Sequence, residues 1–281
     1  MKRHPAIRII WYAMNALLLA SFAASLYGIG LEFSTRSYLK GFSDAIIPSS
    51  DNAEQKTEAI LAWIAQGPAR RTNTNTADLS LRDPANTLNY QQLLNVCGTA
   101  TNAFVNLAQS AGLSARRLLL LDKNRMSKHV VVEVRIDGRW VIVDPVYHTL
   151  YHFPDGRLVT LADMKNPETF RSLTSAIPGY PPSYSYESTA HLRLSRIPGI
   201  GRRLRQVLTF VWPSWEESIN WTLLVERESF AFLCASIFLF CFFLAARLIF
   251  SWYCAKRLGI PHIRLRDRIA RVGQVLAGSP Q

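Results

Sequence analysis

The sequence predicts an α+β fold in which a helix that starts at a cysteine packs on an antiparallel sheet, the whole lying between two membrane-spanning helices. Three observations predict it. Apolar and mixed residues alternate on both sides of Asp137-Gly138, apolar residues recur at helical spacing from Cys97 onward, and charge-free apolar runs lie at Ile9–Leu31 and Ser229–Ala246.

Lys128 to Ile136 alternates and is rich in β-branched residues, and Arg139 to Asp144 repeats the habit after a two-residue Asp-Gly turn signal. One β-hairpin is expected. A turn at Asp137-Gly138 pairs Ile136 with Arg139, and counting back places Val131 opposite Asp144. Strand side chains alternate faces, so His129, Val131, Glu133 and Arg135 share a face with Trp140, Ile142 and Asp144. His129 and Asp144 are then diagonal neighbours, while Val130, Val132, Val134, Ile136, Val141 and Val143 look into the core. A one-residue bulge would undo this register.

Ala100, Phe104, Leu107, Ala108 and Ala111 fall at helical spacing, and Gly112-Leu113 is a natural helix stop. Cys97 therefore lies in the first turn. The unpaired amides and positive dipole end there stabilise a thiolate and could also bind an oxyanion. A thiol, an imidazole and a carboxylate in one place make a cysteine acyl-transfer centre.

These segments resemble the transglutaminase-like (transglutaminase-core) superfamily of papain-type thiol enzymes, from roughly Thr57 to Pro145. An amphipathic helix with Ile60, Leu61, Trp63 and Ile64 precedes Cys97-Gly98, the start of the family's central helix. Gly112-Leu113-Ser114-Ala115-Arg116 resembles its Gly-x-Pro-Ala-Arg connection, His129 opens its histidine strand, and Trp140-Val141-Ile142-Val143-Asp144-Pro145 resembles its Trp-x-x-x-Asp-Pro ending. Ser114 in place of proline and Val131 in place of an aromatic residue depart from the pattern. The resemblance implies a papain/transglutaminase-like core with Cys97 as nucleophile, His129 as general base and acid, and Asp144 as orienting carboxylate. A second oxyanion donor is expected upstream, with Gln91, Gln92 and Asn95 as candidates beside Tyr90; Gln91 has the papain-like spacing from Cys97.

The organisation expected is a cytoplasmic N-terminus at 1–8, a first transmembrane helix at 9–31, a linker at 32–51 and the transglutaminase-like domain at 52–177. A membrane-proximal extension at 178–228, a second transmembrane helix at 229–250 and a basic cytoplasmic tail at 251–281 follow. Asn15 interrupts the first apolar run. That run could also be read as a secretory signal, but it is long for one that is cleaved. Of the net charge of +12, nine lie at the two ends and three between the helices. The positive-inside rule then puts both termini in the cytoplasm and the domain outside, in a periplasm if the chain is bacterial as the resemblance implies. Arg247 is expected to snorkel to cytosolic headgroups. The arginines from Arg193 to Arg205 followed by Phe210, Trp212, Trp215 and Trp221 suggest a stretch along the outer headgroups, or else a helix and strand packed on the domain. The basic juxtamembrane tail and the nearly balanced domain point to anionic lipid headgroups and not to nucleic acid.

Cys97 is the only cysteine between the two apolar runs, so no disulfide can form there. His148 and His152 are four residues apart without a clear third ligand, and neither a metal nor a cofactor is expected. The expected function is cleavage, or transfer, of an amide or peptide acyl group of a cell-envelope protein or peptide through a thioester. The competing expectation is a membrane-anchored, non-catalytic interaction module of an envelope or polysaccharide-assembly complex that kept the fold and lost turnover, and on either reading membrane proteins are candidate partners. The loop Arg70–Asn89 has no pocket signature, and the substrate is not legible.

Overall fold

The structure, a computed structural model, describes residues 5–48, 52–67, 70–72, 79–192, 201–213, 215 and 220–258. Asn75, Arg193, Arg196 and the tail beyond Leu258 lie outside them. In chain order the helices before the sheet are α1 (Pro5–Ile46), α2 (Ala53–Gln66), α3 (Pro84–Asn89), α4 (Gln91–Leu94) and α5 (Cys97–Ser110). The strands β1 (Ala115–Leu121), β2 (Ser127–Ile136), β3 (Arg139–Asp144) and β4 (Thr149–Leu150) follow, then α6 (Leu161–Met164), α7 (Pro167–Thr174) and β5 (Thr189–Ala190). The chain continues through α8 (Gly201–Val211), α9 (Thr222–Glu226) and α10 (Glu228–Arg257).

The chain divides into two compact units, one made of Met1–Ile29 with Leu233–Gln281 and the other of Gly30–Phe232. In the first, α1 and α10 are long and apolar enough to cross a membrane. Their apolar side chains, among them Leu19, Tyr27, Phe238 and Ile249, are exposed, which suits lipid as solvent. The two polar breaks meet: Arg247 Nε donates to Asn15 Oδ1 at 2.9 Å. Two turns further along α1 and two turns back along α10, Phe22 meets Phe240 with ring centroids 5.6 Å apart, so the helices pair antiparallel. Arg247 thus has an intramolecular acceptor where a headgroup was expected. Residues 32–46, within the expected linker, are helical and continue α1.

In the second unit, five antiparallel strands are ordered β4-β3-β2-β1-β5. The hairpin pairing runs from Ile136↔Arg139 to Val132↔Val143, as the Asp-Gly turn predicts. Asp137 (φ 48) and Gly138 (φ 78) both take the left-handed conformation that a two-residue turn with the strands' own twist requires. One face of the sheet, with Val132, Val134, Ile136, Val141 and Val143, packs against Phe104, Leu107 and Ala108 of α5 and Ile60, Leu61 and Ile64 of α2. The other face is not open. Val131 and Ile142 pack with Leu118 and Leu120 under Tyr151, Val159, Met164, Phe170 and Tyr186.

Local chemistry sets the helix ends. Asn52 and Gln55 form a reciprocal capping box on α2. The end of α5 is closed by Gly112 N–H to Gln109 O (3.1 Å) and Leu113 N–H to Ala108 O (2.8 Å), with Gly112 at φ 81. This is the glycine stop expected there.

A buried polar chain ties α5 to the junction of α9 and α10. Arg227 donates to Glu32 Oε1 (3.0 Å) and to Asn106 Oδ1 (2.8 Å), Ser229 donates to Glu32 Oε2 (2.7 Å), and Asn102 donates to Glu226. Glu226 also pairs with Arg117 of β1. Removing one member of a buried pair leaves the other charge uncompensated, which costs about 3–5 kcal/mol. Arg227→Ala is therefore expected to lower the melting temperature of the detergent-solubilised chain sharply. Glu32→Gln, which keeps the acceptor oxygen for Arg227, should cost less.

Candidate active site

Three elements bring Cys97, His129 and Asp144 together. Val96 precedes α5 in extended conformation and offers no side-chain cap, so the amides of the first turn keep their donor capacity. Thr101, one turn after Cys97, donates to Val130 O at 3.2 Å, which fixes the start of α5 against the histidine strand. Cys97 is half-buried against Leu119, Leu121, Val130 and Ala190.

His129 sits beside an irregularity. On the β1 side, Leu120 pairs with His129 but Leu121 pairs with Ser127, leaving Lys128 as an extra residue. A bulge re-aims the side chain next to it. It lies before the segment of β2 that pairs with β3, so the hairpin register survives.

Asp144, fully buried at the end of β3, receives His129 Nε2 at 2.7 Å from its Oδ2. Its other oxygen accepts the Tyr147 amide at 3.4 Å, and Tyr180 Oη donates to Oδ2 at 3.4 Å. Nδ1 of His129 is also buried and has no partner of ordinary hydrogen-bond geometry. The nitrogen left for the thiol of Cys97 is thus Nδ1, in a contact looser than an ordinary hydrogen bond.

The electrostatics follow this arrangement. Interaction with His129 lowers the Cys97 pKa; burial opposes this, and the backbone N–H groups of Val130 and Gly98 add to it. Burial pulls the His129 pKa down, but the bonds to Asp144 and Cys97 outweigh it and raise it to about 9. Both shifts favour a thiolate beside an imidazolium.

Three tyrosines that the sequence reading did not single out complete the surroundings. Tyr184 stacks on the imidazole, centroids 4.5 Å apart at 9°, and Tyr147 and Tyr180 meet it edge-on at 5.9 and 6.4 Å. Together they exclude water from the His129–Asp144 bond. Tyr180 and Tyr184 belong to the tyrosine-dense run Tyr180–Tyr186, which carries no local periodicity to place it, and Tyr147 stands alone after Asp144-Pro145. Beyond Tyr180 and Tyr184 lies a groove of about 450 Å³ floored by Phe170 and Tyr186, with Lys165 and Arg171 on its rim. Cys97 is half-buried and the most accessible of Cys97, His129 and Asp144.

Gln91 and Gln92 lie on α4, and Asn95 is its exposed C-terminal cap, all just before the turn into Cys97. Gln91 Oε1 accepts from Arg70 at 3.0 Å, which leaves the amide nitrogen as its donor end. His152 does not pair with His148. Its Nε2 lies 2.9 Å from Glu54 and its Nδ1 3.0 Å from Leu150 O. Glu54, Glu58 and His152 form a partly exposed cluster away from the site. On the His129 face of β2, Glu133 is buried between Arg116 (2.8 Å) and His191 (2.7 Å). Burial raises its pKa, yet these two partners hold it below the usual carboxylate value, which makes it a strut of the sheet.

Residues 40–145 match the family model of the transglutaminase-like superfamily. No curated protein and no solved structure matches the chain.

Proposed function

From a chain that carries a transglutaminase-like domain between two candidate transmembrane helices, we propose a membrane-anchored, extracytoplasmic thiol enzyme that acts on amide or peptide bonds. The observation that carries this reading is the half-exposed Cys97 of lowered pKa beside an imidazole held by Asp144. Cys97 attacks the carbonyl carbon, and the first-turn amides of α5 receive the developing oxyanion, with the Gln91 side chain as the second donor. His129 passes its proton to the departing amine, and a thioester on Cys97 remains. Water, activated by the now neutral His129, then releases the acid and regenerates the thiol. An amine in place of water would give transfer; hydrolysis is favoured because nothing in the sequence marks a second amine-binding site. The substrate is a protein or peptide of the cell envelope. No step calls for a cofactor.

The test is alkylation of Cys97 by iodoacetamide as a function of pH. A thiolate paired with imidazolium reacts rapidly below pH 7, and the pair persists as pH rises until His129 loses its proton through about 9. A rate that rises only above pH 8, as for an ordinary thiol, would favour the competing reading, a non-catalytic module of the same fold. Topology is tested separately. Net positive charge concentrated at the two ends predicts that a reporter after Gln281 is active only in the cytoplasm and one inserted near Asn75 only outside. The reverse pattern would remove the extracytoplasmic assignment and leave the chemistry untouched.

A further inference from the structure

We propose that α8 lies along the surface of a phospholipid bilayer, with Val207, Phe210 and Val211 inserted among the acyl chains. These three side chains are 58%, 89% and 74% exposed. Their spacing places them on one side of the helix. A single exposed apolar residue is ordinary, whereas a contiguous apolar face that ends in a half-exposed Trp212 requires an occupant.

Thr209, on the other side, accepts a hydrogen bond from Trp215 Nε1 at 3.3 Å. Trp215 is buried, its carbonyl accepts from Trp221 Nε1 at 3.3 Å, and the two indoles meet edge-on at 5.8 Å. The bond from Trp215 to Thr209 ties α8 to the segment that follows it, on the side away from Val207, Phe210 and Val211, and leaves those three uncovered.

Charge and continuity choose lipid over protein as the occupant. The α8 sequence contains Arg202, Arg203 and Arg205 and no acidic residue, and Arg203 is exposed. Arginines with an apolar face and a tryptophan at the end suit the headgroup boundary, where phosphates pair with guanidinium groups and rings sit at the interface. Residues 212–227 then lead directly into α10, the second helix able to cross a membrane. The inference stands whether or not Cys97 turns over substrate.

The experiment replaces Phe210 with the photo-crosslinking residue p-benzoylphenylalanine in the full chain, reconstituted in discs of phosphatidylethanolamine and phosphatidylglycerol. Phe210 is almost wholly exposed, so the larger ring is accommodated; the same probe at Val207 serves as a second position, and at exposed Lys123 as control. Irradiation should give phospholipid adducts, read by intact mass, at Phe210 and Val207 in several-fold higher yield than at Lys123. Equal yields at all three positions would overturn the proposal. So would adducts at Phe210 to protein alone, which would assign the face to a partner chain or a second copy.

Discussion

Cys97→Ser should abolish turnover of envelope peptides, by a factor on the order of 10⁶ as for loss of the nucleophile in other acyl-transfer enzymes, while the domain stays folded. The fold survives because the side chain is half-buried at the edge of a small apolar cluster with Leu119, Leu121, Val130 and Ala190, and oxygen for sulfur leaves its volume nearly unchanged. Chemistry does not survive. The features that lower the thiol pKa, the imidazole and the Val130 and Gly98 amides, fall far short of what a serine hydroxyl needs to ionise at neutral pH. Peptide release from an envelope preparation, with circular dichroism as the check on folding, measures this. Retained release would mean that the nucleophile lies elsewhere.

The parts of this site that could be read in the sequence are those set by short-range rules. The Asp137-Gly138 turn admits one tight hairpin, and strand alternation then puts His129 and Asp144 on the same face; Gly112 marks where α5 must stop. What could not be read depends on residues far apart in the chain. The tyrosines that cover His129 arrive from 147–184, a stretch of turns and short helices without a repeating apolar period, so nothing local assigns them to the sheet face they cover. The bulge at Lys128 arises from pairing with β1, and β1 shows no turn signal that would fix its register. The continuation of α1 through residues 32–46 is not legible from charge, because Glu32 ends the charge-free run while the helix turns amphipathic and goes on, with Glu32 drawn inward by Arg227 and Ser229.

Asp144→Asn should lower turnover by a factor on the order of 10⁴, the scale set by a wrong imidazole tautomer, with little change in substrate binding. The backbone amide of Tyr147 donates to Asp144 Oδ1, so an asparagine must keep its carbonyl oxygen there. Its NH₂ then faces Nε2 of His129, where Oδ2 now accepts at 2.7 Å. A donor at that point forces the proton onto Nδ1, the nitrogen left for the Cys97 thiol, and an imidazole in that tautomer cannot take the thiol proton. Without the carboxylate, His129 also loses the partner that holds its pKa at about 9 against burial. The thiolate then loses its counter-ion, and the alkylation profile of Cys97 should move to higher pH in Asp144→Asn. His129→Ala should be at least as severe. The double variant should be scarcely worse than His129→Ala alone, because Asp144 acts on Cys97 only through the imidazole. Multiplicative losses in the double variant, or an unmoved alkylation profile in Asp144→Asn, would show that Asp144 supports the fold and leaves the thiol to His129 alone.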